Sequence, residues 1–236
     1  MPFPGFPPEA LKFFASLARN NDREWFQPRK EIFDTKIKAP MGDLVLAINE
    51  DLAKFAPAYT ADPKKAIYRI YRDTRFSPDK TPYKTHIAAI FPKKGGERGS
   101  TPGFYFHISA KEVGIAGGLY EPQPEHLYSV RSWLVDHHQE FRKATQACKK
   151  LMGEMYGESL RRVPKGFDSE HPAADLLKMK RWVVWTALPA KLATTPELQK
   201  ELIKRFKAML PMTELLDRAC AGAKKRAAAA NFLSDF

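Results

Sequence analysis

The chain has 236 residues, of which 44% are hydrophobic and 28% are charged, and its formal net charge is +12. This balance is typical of a water-soluble globular protein with a core of its own, and apolar residues nowhere run on for the roughly 18 positions of a membrane-spanning helix. An excess of cations favours an anionic partner such as nucleic acid, anionic lipid or a phosphorylated small molecule.

The cysteines and the amino terminus indicate the cellular compartment of the protein. Cys148 and Cys220 stand far apart in the sequence and form no CxxC pair, so we predict neither a zinc site nor a disulfide framework. The amino terminus, MPFPGFPPEA, lacks the basic and apolar regions of a signal peptide. We therefore expect a cytoplasmic protein with no cofactor, no metal and no membrane contact, and the oligomeric state is left open.

Helical patterns fill the amino-terminal quarter of the chain. Pro7 and Pro8 can begin a first helix, and Asp22 has the side chain of an N-cap for a second. Pro40 is expected to break or kink that second helix, because proline lacks the backbone N–H. The clearest helical stripe follows it, made of Met41, Leu44, Val45, Ile48, Leu52 and Phe55.

Between Ile67 and Tyr120 the spacing of the hydrophobic residues changes from the period of a helix to the two-residue period of a strand. Phe104, Phe106 and Ile108 alternate with polar neighbours, which is typical of a half-buried antiparallel strand. We predict three or four strands in this region, joined by turns at residues 77–81, 93–102 and 110–112.

The carboxy-terminal part is mainly helical again. Pro124 can open a helix, a further strand is predicted around Trp182, and Pro211 is expected to interrupt the last helical run. The sequence therefore predicts one α+β domain over residues 1–236, in which a central antiparallel sheet is flanked by N-terminal and C-terminal helices.

The segment Lys64–His86 is the leading candidate for a site, because it holds seven Lys or Arg against two Asp. Arg69, Arg72 and Arg75 come first, since a guanidinium group presents a planar fork that fits phosphate or carboxylate oxygens. On an ideal strand Arg69 and Arg75 share one face and Arg72 takes the other, so the three converge only if the strand ends or bulges near Asp73.

A structural alternative exists for each part of this segment. Arg72 can pair with Asp73 or Asp79, and Arg75 can simply order the turn that follows. The turn SPDKTPYKTH, from Ser77 to His86, offers further donors for an anion and has two prolines to stiffen it, or it is a tight hairpin connection with exposed lysines. The turn residues that we predict to bind a ligand are Lys80, Tyr83 and Lys84.

Three residues are candidates for acid–base catalysis. His86 and His107 fall in opposite phase to the apolar side chains of their predicted strands, so both are expected on the face of the sheet away from the core. Among the acidic residues, Glu121 is the best placed to act as a catalytic base. Tyr120 beside it is a candidate ligand contact. The alternative for the histidines is a hydrogen-bonded pair covered by helices.

The glycines near the end of this region have two possible explanations. One predicted strand has no side chain at three positions, Gly114, Gly117 and Gly118, and this permits close approach of a ligand or of another backbone. A β-bulge would account for them equally well.

Four motifs carry a family resemblance. They are REWF from Arg23, IYRIYRDTRFSPDKTPYKTH from Ile67, GGLYEP from Gly117 and PKGFDSEHPAADLLKMK from Pro164. Together they resemble the family called domain of unknown function 2461 over nearly the full length. That family has no assigned activity, so the resemblance implies a single domain and contributes no catalytic residue.

We predict that the protein binds an anionic small ligand, phosphorylated or carboxylate, in a pocket lined by Arg and Lys. Whether it then acts as a hydrolase or transferase is left open. One alternative is a nucleic-acid-binding module, which the net charge favours and the absence of a helix-turn-helix, RRM or zinc-finger signature disfavours. The other is a protein-interaction domain without catalysis, for which a large exposed apolar patch would be the sign.

Overall fold

The computed structural model describes the backbone of residues 2–234 and the side chains of residues 2–222. The α-helices are α1 (Pro8–Arg19), α2 (Arg23–Phe26), α3 (Lys30–Phe33), α4 (Ala39–Phe55), α5 (Pro63–Ala66), α6 (Pro124–Met152), α7 (Ala174–Leu177) and α8 (Glu197–Ser234). The strands are β1 (His86–Pro92), β2 (Gly103–Ser109), β3 (Glu112–Leu119), β4 (Met155–Tyr156) and β5 (Trp182–Pro189). Turns of 3₁₀-helix lie at Gln27–Arg29, Pro57–Tyr59 and Ala190–Thr194, and one π-helical turn lies at Asp34–Lys38.

The helix starts follow from local chemistry. Helix α1 begins at Pro8, where the missing N–H would have had no partner in any case. Asp22 caps α2, as predicted, and its Oδ1 accepts a hydrogen bond from the backbone N–H of Trp25 at 2.7 Å.

Pro40 does not end the helical run that contains it. The chain stays helical from Arg23 to Phe55, and the π turn Asp34–Lys38 lies directly before the Ala39 and Pro40 that open α4. Pro40 can form no bond to the carbonyl four residues back, so a wider turn at this position lets the chain continue. The expected break is therefore replaced by a local change of helix type.

Helix α6 is kinked at His137, whose backbone angles, φ −121° and ψ 16°, are not helical, so two helical segments meet at this residue. Helix α8 continues through Pro211, where an interruption was predicted. Met209, Met212 and Leu216 around that proline are fully buried, so packing outweighs the loss of one backbone hydrogen bond.

The sheet has five antiparallel strands in the order β1-β2-β3-β5-β4, and with its flanking helices it confirms the predicted α+β class. At one edge Met155 pairs with Val184 and Tyr156 with Val183.

The strand expected from Ile67 is not a regular ladder. The segment folds back as an irregular hairpin with isolated bridges between Ile67 and Ala89 and between Tyr71 and Tyr83. Pro82 has no backbone N–H to donate, so the pairing cannot continue as a ladder past this point.

The chain divides into two compact units. The first unit comprises residues 1–91, 105–115 and 186–204, and the second comprises residues 92–104, 116–185 and 205–236. The core of the first unit is aromatic, and Phe26 lies 5.7 Å from Phe33 between ring centroids. In the second unit the rings of Phe104 and Phe206 stack at 4.8 Å. That all 236 residues form a single domain stays a prediction.

The second unit buries one arginine as a structural element. Arg131 donates from Nε to the carbonyl of Leu177 at 2.8 Å and from Nη2 to the carbonyl of Met179 at 3.0 Å, which satisfies backbone groups at the end of α7. Among residues 2–234, none of the helices combines the length and the apolar composition that a membrane-spanning segment needs.

Two glycines of β3, Gly117 and Gly118, are explained by packing against other parts of the second unit. A Cβ on Gly118 would stand 2.1 Å from the carbonyl oxygen of Trp182, and its φ of +120° is one that other residues rarely adopt. A Cβ on Gly117 would stand 2.6 Å from the sulfur of Met209. Of the two predicted reasons for these glycines, close approach of another backbone holds for Gly118.

We expect Gly118→Ala to lower the free energy of unfolding by more than about 2 kcal/mol, because the new methyl group meets a backbone atom and the backbone angle is strained. Gly42→Ala is the matched control, since a Cβ there meets nothing within 4 Å inside α4. That change should raise the same free energy by up to about 1 kcal/mol. Urea denaturation measures both, and equal stability of the two variants would contradict this explanation.

Candidate functional site

Two of the three candidate arginines are engaged within their own loop, residues 72–81. Arg72 contacts the carboxylate of Asp79 through Nη1. Arg75 forms a bidentate ion pair with Asp73, in which Nε donates to Oδ1 at 3.1 Å and Nη2 donates to Oδ2 at 2.8 Å. These hydrogen bonds lower the pKa of Asp73 and of Asp79 to about 2, with the side-chain bond from the arginine as the largest cause in each case. Arg72 and Arg75 thus form ion pairs within the loop, as the structural alternative expects, and ligand binding by either of them stays a prediction.

Arg69 differs from both. Its side chain is exposed, and among the residues that the structure describes it has no carboxylate within ion-pair distance. Its guanidinium acts on Asp73 only through longer-range attraction. Of the three arginines, Arg69 is therefore the one without a carboxylate partner among the described residues.

The remaining candidates of this segment have distinct environments. Lys80 donates from Nζ to the carbonyl of Thr74 at 2.8 Å. Lys84 donates to the carbonyl of Arg69 at 3.2 Å and its Nζ lies 5.1 Å from the ring centroid of Tyr68. Both lysines therefore help to order the segment that carries Arg69.

Tyr83 is part of the core of the first unit. Its ring is 1% exposed and stacks on Phe26 with centroids 4.1 Å apart. Asn21 holds its backbone on both sides, accepting from Tyr83 N at 3.0 Å and donating to Tyr83 O at 2.9 Å. Burial raises the pKa of the phenol. Tyr83 is thus the anchor that fixes the hairpin to the helices.

The two candidate histidines of the sheet meet each other. The rings of His86 and His107 lie 4.9 Å apart, and Nδ1 of His107 is 3.3 Å from the hydroxyl of Tyr105 while Nε2 is 3.4 Å from a carboxylate oxygen of Glu112. This geometry fits a neutral imidazole that accepts from Tyr105 and donates to Glu112. Within the described residues, no group of three or more His, Cys, Asp or Glu could hold a metal ion.

Both imidazoles are biased towards the neutral form. Burial lowers the pKa of His86 to about 4, with further contributions from His107 and Lys84, and burial alone lowers the pKa of His107 to about 4. Desolvation disfavours the charged ring, so protonation of either histidine works against the folded state.

Tyr120 and Glu121 belong to the second unit and are described with it. The guanidinium of Arg181 lies 4.4 Å from the ring centroid of Tyr120. Glu121 is exposed, and its backbone N–H donates to the carbonyl of Gly99 at 2.8 Å. A catalytic role for Glu121 and a ligand contact by Tyr120 stay predictions.

A cavity of about 630 Å³ in the first unit includes Arg69 in its lining. One wall comes from the helical run between residues 26 and 42, and the other from residues 63–71 with Ile87 of β1. The buried part of the lining is apolar and consists of Phe26, Phe33, Ile70 and Ile87. The volume lies within the range of small-molecule sites.

The exposed part of the lining is basic. Its cations are Lys30, Lys38, Lys64 and Arg69. Asp34 is the single carboxylate among the lining residues, and it pairs with Lys30. Three cations of the rim therefore have no carboxylate of the lining as a close partner.

The helical wall has a simple spacing that the sequence reasoning missed. Lys30, Asp34, Lys38 and Gly42 follow one another at every fourth position, and all of them line the cavity. In a regular α-helix a turn holds fewer than four residues, so side chains at every fourth position gradually rotate around the helix axis. The π turn Asp34–Lys38 holds more residues per turn, which counters this rotation and keeps the four residues on one side. Repetition of charge at every fourth residue was the signal available in the sequence.

Because burial lowers the pKa of both His86 and His107, we expect stability to fall with acidification. In the unfolded chain an imidazole takes its proton near the ordinary value of 6.5, whereas in the folded chain it does so near 4. The contribution of the pair is thus complete above pH 6.5 and is lost as the pH falls towards 4.

Urea denaturation at a series of pH values measures this effect, with the double variant His86→Gln and His107→Gln as the reference. The two proteins differ only at these two residues, so the difference between the two profiles reports the imidazoles. A difference that stays constant across this pH range would contradict burial as the cause.

Comparison with known proteins places the chain in a family. No curated protein and no solved structure gave a match to it. A family model described as conserved hypothetical protein (DUF2461) matches residues 9–214, which agrees with the motifs found in the sequence. The chain therefore belongs to the DUF2461 family.

Proposed function

We propose that the protein binds a small anionic ligand with an apolar body in the cavity between residues 26–42 and 63–71. The observation that supports this most is the division of the lining into a buried apolar floor and an exposed rim of four cations with one carboxylate. A ligand whose tail is apolar and whose head is a phosphate or carboxylate matches both parts.

The rim supports an anionic head group in particular. A guanidinium such as that of Arg69 can form two parallel hydrogen bonds to a phosphate or carboxylate, and Lys38 and Lys64 add positive charge beside it. Charge-assisted hydrogen bonds of this kind contribute on the order of 1.5–3 kcal/mol each.

Gly42 supports the cavity as a binding site. It lies inside α4 with an ordinary backbone angle, and a Cβ there would meet nothing within 4 Å. Glycine in a helix interior costs about 1 kcal/mol relative to alanine, so helix stability and packing give no reason for it here. Keeping the cavity open does give one.

For a reaction on the bound ligand, hydrolysis or group transfer, the acid–base group that we nominate is His107, with His86 beside it. Tyr68 lines the cavity, and its ring packs edge-to-face on Tyr105 at 6.3 Å. Tyr105 in turn reaches His107. We place the activity in the cytoplasm, where the buried thiols Cys148 and Cys220 would stay reduced.

The test is a titration with 1-anilinonaphthalene-8-sulfonate, whose fluorescence reports binding of an aromatic anion, followed by displacement with decyl phosphate or decanoate. We expect Arg69→Ala to weaken the binding of decyl phosphate roughly tenfold to a hundredfold, because one charge-assisted contact is lost. Asp34→Asn should strengthen it, because it removes the carboxylate of the lining and releases Lys30.

Arg75→Ala is the matched control, since it removes the same charge from the same segment at a residue that does not line the cavity. Its affinity for decyl phosphate should equal that of the wild type. The proposal fails if uncharged decanol displaces the probe as well as decyl phosphate does, or if Arg69→Ala and Arg75→Ala behave alike.

A further inference from the structure

Phe76 stands in the loop of residues 72–81 with 91% of its surface exposed, more than any other large hydrophobic side chain among the described residues. The loop around it is ordered by its own contacts. Arg75 forms a bidentate ion pair with Asp73, and Nζ of Lys80 donates a hydrogen bond to the carbonyl of Thr74 at 2.8 Å. The ring is thus held out by an ordered loop, which reduces the entropy lost when a partner covers it.

We propose that this loop binds single-stranded nucleic acid, with Phe76 as the stacking platform for a base and Arg69, Arg75 and Lys80 as contacts to phosphates. Proteins that bind single strands without sequence preference combine exposed aromatic rings with cations that follow the backbone. Both are present here, since the segment Lys64–His86 holds seven Lys or Arg against two Asp.

The geometry around the ring fits stacking. The guanidinium carbon of Arg75 lies 5.5 Å from the ring centroid of Phe76, so a cation already adjoins the ring, and the high exposure leaves room for a base. The pair of Arg75 with Asp73 is itself exposed, with 77% and 47% of the two side chains accessible. Exposed ion pairs stabilise a fold only weakly, so Arg75 can exchange the carboxylate for a phosphate.

Charge complementarity favours nucleic acid over the other partners that an exposed ring can have. Apart from Phe76 and Pro78, the loop of residues 72–81 is polar or charged. A membrane-binding loop or a protein-docking loop needs several apolar side chains together, because one ring buries little area. Arg69 belongs to both proposed sites, but Phe76 is not part of the cavity lining, so the Phe76 variants test this inference separately from the proposed ligand site.

The direct test is fluorescence anisotropy of the full chain with a labelled oligothymidylate of about 16 nucleotides at low salt. We expect Phe76→Ala to weaken binding roughly fivefold to a hundredfold, which is the range for loss of one base–aromatic stack. Phe76→Trp should keep the affinity. An abasic phosphodiester of the same length and charge should bind the wild type more weakly and should not distinguish it from Phe76→Ala.

Tyr156→Ala is the control, because Tyr156 is an aromatic residue of the second unit that is 58% exposed. Its affinity for oligothymidylate should equal that of the wild type. Equal binding of oligothymidylate and the abasic strand would overturn the proposal, and so would an unchanged affinity of Phe76→Ala. Binding to phosphatidylglycerol vesicles that depends on Phe76, with no binding of oligothymidylate, would overturn it in favour of a lipid surface.

Discussion

The stacking of Tyr83 on Phe26 is the interaction on which the candidate site depends. It places a residue of the basic hairpin in the aromatic core of the first unit, and Asn21 fixes the same residue through both of its backbone groups. The isolated bridge from Tyr71 to Tyr83 transmits this anchoring to the other arm of the hairpin. The cavity exists because the hairpin is held beside the helical run but does not pack flat against it.

Local pairing decides which cations of the hairpin remain available. Asp73 and Asp79 lie close in sequence to Arg75 and Arg72, and each carboxylate takes the guanidinium that the chain brings to it. Arg69 precedes both acids and stays outside these pairs. The tip of this basic segment, residues 72–81, is therefore ordered by its own ion pairs. At the base of the segment, the guanidinium of Arg69 is left without a carboxylate partner. The same pairing holds Phe76 out into solvent.

Much of the fold follows from local patterns, and most of the site does not. The cap at Asp22, the start of α1 and the alternation in β2 each depend on a few neighbouring residues, so the sequence predicts them correctly. The irregular hairpin and the π turn depend on how proline is accommodated in three dimensions, and both were mistaken for simpler structures. Among the candidate ligand contacts, Arg69 was predicted and also lines the cavity. Lys30 and Lys38 were missed, because they approach Arg69 only when the hairpin lies beside the helical run, whereas Lys64 was counted in the basic segment but not named as a ligand contact.

The proposed ligand site beside Arg69 can be tested at Gly42, the one position of the cavity lining without a side chain. Phenylalanine at residue 42 would extend into open space and occupy the cavity, since a Cβ there meets nothing within 4 Å. Isothermal titration calorimetry with decyl phosphate should then show binding to the wild type and none to Gly42→Phe, while the thermal unfolding temperature of the variant is at least that of the wild type. Wild-type affinity in a folded Gly42→Phe protein would contradict the account.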